Sequence, residues 1–331
     1  MSSDSNVSIQ LVDKVYPHPN ADRLEIAEVS GYTVVTGKGN VVAGDTAIYF
    51  PPDNLIPVDV AEKLGVAQYL KHALYPGDLG KTKCRIGAAR LRGVKSFGFL
   101  VPTESDIVGL DLNEAYKVQR YDPPIKIASG DQMQEASKFH RYTNIQNVQK
   151  YSGYIPEGTP VIYTEKIHGT NSRIGVIDGD IVAGSHNCQV KFSEGSLYWS
   201  PYEVCKELLE DMQNDEVDII IFGEIFGAGV QDLHYGFATP TFRCFDISVD
   251  GEYLPPRLAY ELCRQYEIPV VPILDIGRFS RARLEELTDG DTTYCPGHIR
   301  EGVVVKAIEQ DPEQFHRQIL KSVSVDYLGR D

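Results

Sequence analysis

Two hydrophobic patterns divide this chain. Up to about residue 101, short runs rich in β-branched and aromatic residues alternate with turn residues, which predicts strands. Further along, apolar residues recur at helical spacing between further strand-like runs, which predicts mixed helices and strands. The predicted strands are 25–29, 32–36, 46–50, 96–100, 219–222, 241–247 and 302–307, and the predicted helical segments are 58–73, 202–212 and 256–266. The pattern predicts an α+β protein.

The same pattern predicts two domains and a connector. Residues 1–105 carry about five short strands with one helical insert, which is typical of a small OB-type β-barrel. Residues 106–140 are polar and include two adjacent prolines, so we interpret them as a connector. Residues 141–331 form the mixed domain. A length of 331 residues is consistent with two domains.

The composition of the chain argues against several classes of protein. No apolar run reaches the ~18 residues that a membrane helix needs, and the first residues lack the basic and apolar regions of a secretory signal. The chain has six cysteines and no C-x-x-C pair, which argues against a zinc site and against a disulfide framework. This pattern predicts a reducing, cytoplasmic location. A net charge of −15 argues against a non-specific nucleic-acid coat protein.

One stretch of the chain is basic, although the chain as a whole is acidic. Residues 81–95 contain no acidic residue, and two interpretations stay open: solvated faces of two strands, or contact with a nucleic-acid backbone. The candidate nucleic-acid residues are Lys81, Lys83, Arg85, Arg90, Arg92 and Lys95.

A single lysine follows an apolar run in the mixed domain. Lys166 lies in the segment 164–171 (Thr-Glu-Lys-Ile-His-Gly-Thr-Asn), directly after the apolar residues 161–163. The K-x-x-G spacing fits a covalent nucleophile, a phosphate-binding lysine or a surface lysine. An amine attacks a phosphoanhydride only when it is deprotonated, so a nucleophile here requires a pKa below the ordinary value of ~10.4.

Four later segments follow Lys166 in a fixed order. They are 221–227 around Glu224, 242–247 with Phe245, 300–306 with Glu301 and Lys306, and 319–324 with Lys321. Together with K-x-x-G, this order resembles the covalent nucleotidyltransferase superfamily of DNA ligases, RNA ligases and mRNA-capping guanylyltransferases. The resemblance implies a catalytic domain built on antiparallel sheets, with ATP and Mg²⁺ or Mn²⁺ as cofactors.

The resemblance also implies a role for each matching residue. Lys166 carries AMP through a phosphoramidate bond, Glu301 is associated with the metal, and Lys321 contacts the nucleotide phosphate. Among the cofactor-binding positions, Lys306 lies five residues beyond Glu301, so it faces the opposite side unless the strand bends. The remaining implied contacts are Glu224 to a ribose hydroxyl, Phe245 stacked on the base, Glu165 and Ile167 on the adenine edge, and Asn171 on a phosphate.

One position departs from the superfamily pattern. His186 stands where many relatives have an arginine, so the contact of that arginine with ribose or phosphate is in doubt. Arg173 is a candidate substitute.

Three features favour an RNA ligase over a DNA ligase or a capping enzyme. The segment around Lys166 has the RNA ligase form K-x-H-G-x-N, and the ten residues after Lys321 leave no room for a C-terminal OB domain. In addition, residues 18–24 and 90–98 resemble OB modules related to tRNA-binding domains, and these precede the catalytic domain. This arrangement resembles RNA ligases that seal nicks in duplexes with a 3′-OH RNA strand.

The sequence therefore predicts an ATP-dependent, monomeric RNA ligase that repairs nicked RNA-containing duplexes or RNA ends, without a membrane partner. GTP use stays open. The alternatives are an RNA-binding or tRNA-associated factor with a degenerate transferase domain, and a DNA ligase or capping-type enzyme.

Overall fold

The computed structural model describes residues 6–72, 82–121, 131–133, 135–148, 151–214, 216–311, 314 and 316–328. They form two compact units, and the boundary lies near residue 126. No helix within these ranges is long and apolar enough to cross a membrane.

The first unit is built mainly from short antiparallel strands. Its elements are β1 (Ser8–Pro17), β2 (Leu24–Val29), β3 (Tyr32–Gly37), β4 (Thr46–Phe50), β5 (Asn54–Pro57), α1 (Val58–Lys63), a 3₁₀ turn (Ala67–Tyr69), β6 (Lys71–His72), β7 (Lys83–Ile86), β8 (Ala88–Leu91), β9 (Val94–Phe97), β10 (Phe99–Pro102) and β11 (Gln119–Arg120). The predicted helical segment 58–73 is thus only partly helical, since it also holds the 3₁₀ turn and β6. The β-branched Val58 and Val60 and the following Gly65 all have low helix propensity, which disfavours a longer helix.

The strands of this unit form two main sheets and a hairpin. One sheet has the order β10-β4-β1-β2-β3, the other has the order β11-β5-β7-β6, and β8 pairs with β9. The β8–β9 hairpin packs beside β3, where Val35 N donates to Ser96 Oγ at 2.9 Å. Two apolar cores fill the unit, one around Phe50 and Ile86 and the other around Val29 and Tyr49.

The predicted strand 96–100 is interrupted at Gly98, which has φ of +75°. A Cβ at this position would lie 1.9 Å from Phe50 O, so only glycine fits between β9 and β10. The interruption lets β9 stay with its hairpin while β10 joins the sheet of β4.

The second unit contains longer strands and most of the helices. Its elements are β12 (Gln132–Met133), β13 (Gln146–Asn147), a 3₁₀ turn (Ser152–Tyr154), β14 (Pro160–Lys166), β15 (Thr170–Ile177), β16 (Asp180–Ser185), β17 (Gln189–Val190), a 3₁₀ turn (Leu197–Trp199), α2 (Tyr202–Asn214), β18 (Ile219–Phe226), β19 (Thr241–Val249), β20 (Glu252–Tyr253), α3 (Pro256–Gln265), β21 (Ile273–Arg278), α4 (Arg281–Thr288), β22 (Gly302–Ala307), β23 (Ile319–Val323) and α5 (Val325–Leu328). The predicted helices 202–212 and 256–266 are confirmed within two residues at each end.

Two sheets face each other in this unit. The large sheet has the order β12-β17-β16-β15-β18-β19-β20, and the small sheet has the order β13-β23-β22-β14-β21. Helices α2 and α3 cover one face of the large sheet, and α4 covers one face of the small sheet. A third core, which includes Phe139, Tyr142, Phe222 and Ile319, contains residues from both sheets and lies between them. Side chains on these inner faces therefore meet.

The described part of segment 106–140 contributes to both units. In the first unit, β11 pairs with β5, and Leu112 and Tyr116 pack on the core. In the second unit, β12 pairs with β17, and Phe139 is buried. These residues lack a periodic pattern, so their packing was not visible in the sequence.

Candidate active site

The predicted nucleophile and the predicted metal-associated carboxylate are in contact. Lys166 ends β14, and it lies opposite Gly302, the first residue of β22. Lys166 Nζ lies 2.7 Å from Glu301 Oε1, and the two side chains are 26% and 12% exposed. An amine and a carboxylate are thus in contact at a site that is mostly buried but still partly open to solvent.

Gly302 sets the direction of Glu301. Its φ is +155°, and a Cβ there would lie 2.1 Å from Ser322 O, so no other residue fits. The strand bends at this point, and Glu301 turns toward Lys166. Lys306 lies on the Lys166 face as well, because Ile162 pairs with Lys306 just as Lys166 pairs with Gly302.

The same register places Lys321 on this face. Val304 lies between Thr164 on β14 and Lys321 on β23, and directly opposed residues of antiparallel strands share a face. Lys166, Lys306 and Lys321 therefore all project from the inner face of the small sheet.

The large sheet contributes a second carboxylate. Glu224 on β18 lies opposite Asn171 on β15, so the two side chains are neighbours on one face. Asn171 Oδ1 is buried and has no hydrogen-bond partner among the described residues. This amide oxygen is available to a bound molecule.

These charges shift each other's pKa. Burial lowers the pKa of Lys166, but the carboxylates of Glu301 and Glu224 outweigh burial, and the pKa ends above its ordinary value. Burial raises the pKa of Glu224 to about 8; Lys166 opposes this rise and Glu301 adds to it. The ligand-free site therefore holds Lys166 as an ammonium, although the nucleophile must be neutral to react.

Lys306 lies deeper between the sheets. Its Nζ donates to Phe245 O at 2.5 Å and to Asp246 Oδ2 at 3.3 Å. Arg317 Nη2 and the Tyr142 hydroxyl donate to the same Asp246 oxygen at 2.6 and 2.7 Å. Burial would raise the pKa of Asp246, but Lys306 and Arg317 hold it below its ordinary value. Lys306 thus lies in a buried ion pair with Asp246, and its nucleotide-binding role stays a prediction.

The predicted base-binding residues occupy an aromatic region beside Lys166. The pairing of β18 with β19 shifts register at Phe222/Gly223, which leaves Phe245 as an unpaired residue. Phe245 packs with Ile167, Phe226 and Tyr235. This region can stack a nucleobase.

One carboxylate oxygen of Glu165 accepts hydrogen bonds, and the other has no hydrogen-bond partner among the described residues. Its Oε2 accepts hydrogen bonds from Thr293 N and Thr293 Oγ1, both at 3.0 Å. Its Oε1 is buried and has no partner among the described residues. A buried acceptor of this kind calls for a donor.

Arg173 does not substitute for the arginine that His186 replaces. Its side chain is fully buried and donates to Ser185 O at 2.8 Å, to Phe139 O and to Glu135. The contacts with Phe139 and Glu135 hold the segment before β13 against the large sheet. His186 lies half-buried in the turn between β16 and β17.

The basic residues of the first unit lie in two places, and Lys81 lies outside the described residues. On β7, Lys83 donates to Gln119 at 2.6 Å, and Arg85 pairs with Asp53 at 2.6 Å.

The other three basic residues share the β8–β9 hairpin. Arg90 lies directly opposite Lys95, and Arg92 lies in the turn. Directly opposed residues of a hairpin share a face, so the Arg90 and Lys95 side chains lie on the same face. His18 Nε2 lies 3.0 Å from Leu91 O, and Asn20 Nδ2 donates to Arg92 O at 3.1 Å. The two segments with OB resemblance thus contact each other.

The sequence did not point to three residues that contact the loop after Lys166, which are Asp232, Tyr235 and Tyr327. His168 contacts Asp232, Tyr235 and Tyr327 through hydrogen bonds of 2.7 to 2.8 Å. The K-x-H-G motif includes His168, but the three residues that hydrogen-bond to His168 belong to no motif.

Comparison with known proteins identifies the family. Residues 159–323 match the RNA ligase family model, and residues 6–103 match the model of an OB-fold domain. Two solved structures of a Naegleria gruberi RNA ligase have the same fold. A lysine-to-methionine variant with AMP and Mn has a TM-score of 0.82 and 24% identity over 98% of both chains. An apo aspartate-to-alanine variant has a TM-score of 0.83 and 25% identity over 99% of this chain and 98% of that one.

A search of curated proteins finds no match. The family models and the fold show an OB-fold domain followed by an RNA ligase domain, which confirms the predicted fold class. Residues 159–323 form an RNA ligase family domain.

The buried ion network yields a stability prediction. We expect Asp246→Asn to lower the free energy of unfolding by about 3–5 kcal/mol, because Lys306 and Arg317 would lose their shared counter-charge. The chain has one tryptophan, Trp199, in the second unit, so urea unfolding followed by its fluorescence reports on that unit.

The matched control is Asp178→Asn, which breaks an exposed pair with Lys138 and should cost under about 1 kcal/mol. Equal losses for the two variants would contradict the structural role of Asp246.

Proposed function

We propose that this protein is an ATP-dependent RNA ligase that joins 3′-OH and 5′-phosphate ends through a lysyl-AMP intermediate. The observation that carries the proposal is the 2.7 Å contact of Lys166 with Glu301, at the end of a strand within the matched RNA ligase domain. The Naegleria enzyme has also been solved with ATP and Mn and with pyrophosphate, which supports this chemistry.

The proposed reaction has three displacements at phosphorus. Lys166 Nζ attacks the α-phosphorus of ATP; an N–P bond forms, the bond to the β-phosphate oxygen breaks, and pyrophosphate leaves. A 5′-phosphate oxygen then attacks the AMP phosphorus and breaks the N–P bond. The 3′-OH finally attacks the activated 5′-phosphorus, which forms the phosphodiester and releases AMP. The protein emerges unchanged.

The first step requires Lys166 to lose a proton. In the ligand-free site, Glu301 and Glu224 oppose this loss. A ligand that draws Glu301 away from Lys166 removes one of these two carboxylates. Burial alone favours the neutral amine, and a Glu224 with a pKa of about 8 is largely protonated near neutrality. Substrate binding would thus activate the nucleophile.

The donor set fits a hard divalent cation. Glu301 supplies carboxylate oxygens, which Mg²⁺ and Mn²⁺ prefer, and Glu224 would hold a ribose hydroxyl. The described residues hold no cluster of three or more metal-binding side chains, so phosphate and water oxygens would complete the coordination. When bound, the metal would offset the negative charge of the reacting phosphates.

Glu165 favours adenine over guanine. Its unpartnered Oε1 can accept a hydrogen bond from the 6-amino group of adenine, whereas guanine has a carbonyl oxygen at that position. Phe245 would stack on the base, and Asn171 and Lys321 would contact phosphate.

We propose that the nucleic acid is a nicked, RNA-containing duplex bound by a monomer, with residues 1–105 as the OB module, 106–140 as the connector and 141–331 as the catalytic domain. The hairpin cations Arg90, Arg92 and Lys95 would hold the backbone, because phosphate contacts dominate affinity. The proposed role is RNA repair, and the proposed location is the reducing cytoplasm, since all six cysteines are free thiols.

Covalent labelling tests the enzyme class. We expect [α-³²P]ATP with Mg²⁺ or Mn²⁺ to label the wild-type protein and Lys166→Ala to abolish the label, because the nucleophile is gone. Lys206→Ala, which removes an exposed helical lysine paired with Glu210, should label normally. An unlabelled wild-type protein would favour an RNA-binding factor with a degenerate transferase domain.

Charge reversal on the hairpin tests the role of the first unit. We expect Arg90→Glu with Arg92→Glu to leave Lys166 labelling unchanged and to reduce sealing at least about tenfold at physiological salt, because two phosphate contacts are lost.

Lys63→Glu, an exposed change on α1 outside the hairpin, serves as the control and should seal normally. Normal sealing by the hairpin variant would remove the hairpin from the nucleic-acid interface.

A further inference from the structure

His168, two residues after the nucleophile, is held from both sides by remote side chains. Its Nε2 lies 2.7 Å from Asp232 Oδ1, and its Nδ1 lies 2.8 Å from the Tyr327 hydroxyl. Its backbone N donates to the Tyr235 hydroxyl at 2.8 Å. The loop that connects Lys166 to β15 is therefore fixed through both its backbone and its imidazole.

The chemistry of these partners sets the orientation of the ring. A carboxylate only accepts hydrogen bonds, so the proton of a neutral imidazole lies on Nε2 and points to Asp232. Nδ1 then accepts a hydrogen bond from Tyr327. The tyrosine hydroxyl and the carboxylate together select one tautomer and one rotamer.

Tyr327 belongs to a segment that also contacts the main chain of Glu301. We name residues 324–327 the C-terminal strap. Ser324 N donates to Glu301 O at 2.8 Å, and Ser324 Oγ donates to Asp289 at 2.8 Å. Tyr327 N donates to Ser324 Oγ at 3.3 Å. One short segment thus holds the main chain at Glu301 and the imidazole beside Lys166.

We propose that Tyr327 is a positioning residue for the transfer of AMP to Lys166, which rests on the proposed function. Through His168 it holds the loop 167–169, and through the strap it ties this loop to Glu301. Attack at phosphorus requires the amine in line with the leaving oxygen, so small displacements of Lys166 slow the reaction strongly. Tyr327 acts through its contact with His168.

The test is Tyr327→Phe, which removes one hydroxyl and keeps the ring. In single-turnover labelling with [α-³²P]ATP, the maximal rate should fall roughly tenfold, as it does when outer partners of functional histidines are lost. The ATP concentration for half-maximal rate should not change, because the aromatic region is untouched. In ¹⁵N-histidine NMR spectra, the His168 Nδ1 resonance, assigned by its loss in His168→Gln, should shift.

Tyr266→Phe is the matched control, because Tyr266 also donates to an aspartate, Asp211, at 2.7 Å, in the core that contains α2 and α3. It should change neither the labelling rate nor the His168 resonance. A Tyr327→Phe protein with wild-type rate and an unshifted resonance would overturn the proposal.

A second variant keeps the test valid if Tyr327→Phe folds poorly. Asp232→Asn changes a carboxylate that is 60% exposed and acts on the same imidazole. It should also lower the maximal rate, and the double variant should lose less than the product of the two single losses. Independent, multiplicative losses would overturn the proposal. A wild-type protein that takes no label would instead refute the proposed function.

Discussion

A buried negative charge between two sheets governs the arrangement of the catalytic unit. Asp246 on β19 is fully buried and takes hydrogen bonds from Lys306 on the small sheet, from Arg317 and from Tyr142. Buried ion pairs add little net stability over a well-packed apolar core, but the loss of one partner is costly. The network therefore fixes which residues of the two sheets meet, and the reactive groups occupy the same inter-sheet space nearby.

The three lysines on the inner face of the small sheet serve different purposes because their surroundings differ. Lys306 is buried and bound to Asp246. Lys166 is one-quarter exposed and lies at the end of its strand beside two carboxylates. Depth along the inner face of the small sheet thus separates the surroundings of these two lysines.

Sequence reasoning predicted the elements and the reactive pair well, because these depend on local pattern and motif order. The helices α2 and α3, the strand β22, Lys166 and Glu301 are examples. Side-chain alternation left the face of Lys306 dependent on a strand bend, and that bend arises at Gly302 from the close approach of β23, which no local pattern shows. Sequence reasoning missed Asp232 and Tyr327, which lie 64 and 159 residues from His168 and meet it only in the folded chain.

The central claim is that the transferred AMP activates a 5′-phosphate for attack by an RNA 3′-OH. The most direct measurement is sealing by the wild-type protein of nicked duplexes that differ only in the 3′-terminal strand: RNA, DNA, or RNA with a terminal 3′-deoxy sugar. We expect the RNA terminus to be sealed and the 3′-deoxy terminus to stall with an adenylylated 5′ end. A DNA terminus sealed as fast as the RNA terminus would contradict the RNA ligase assignment.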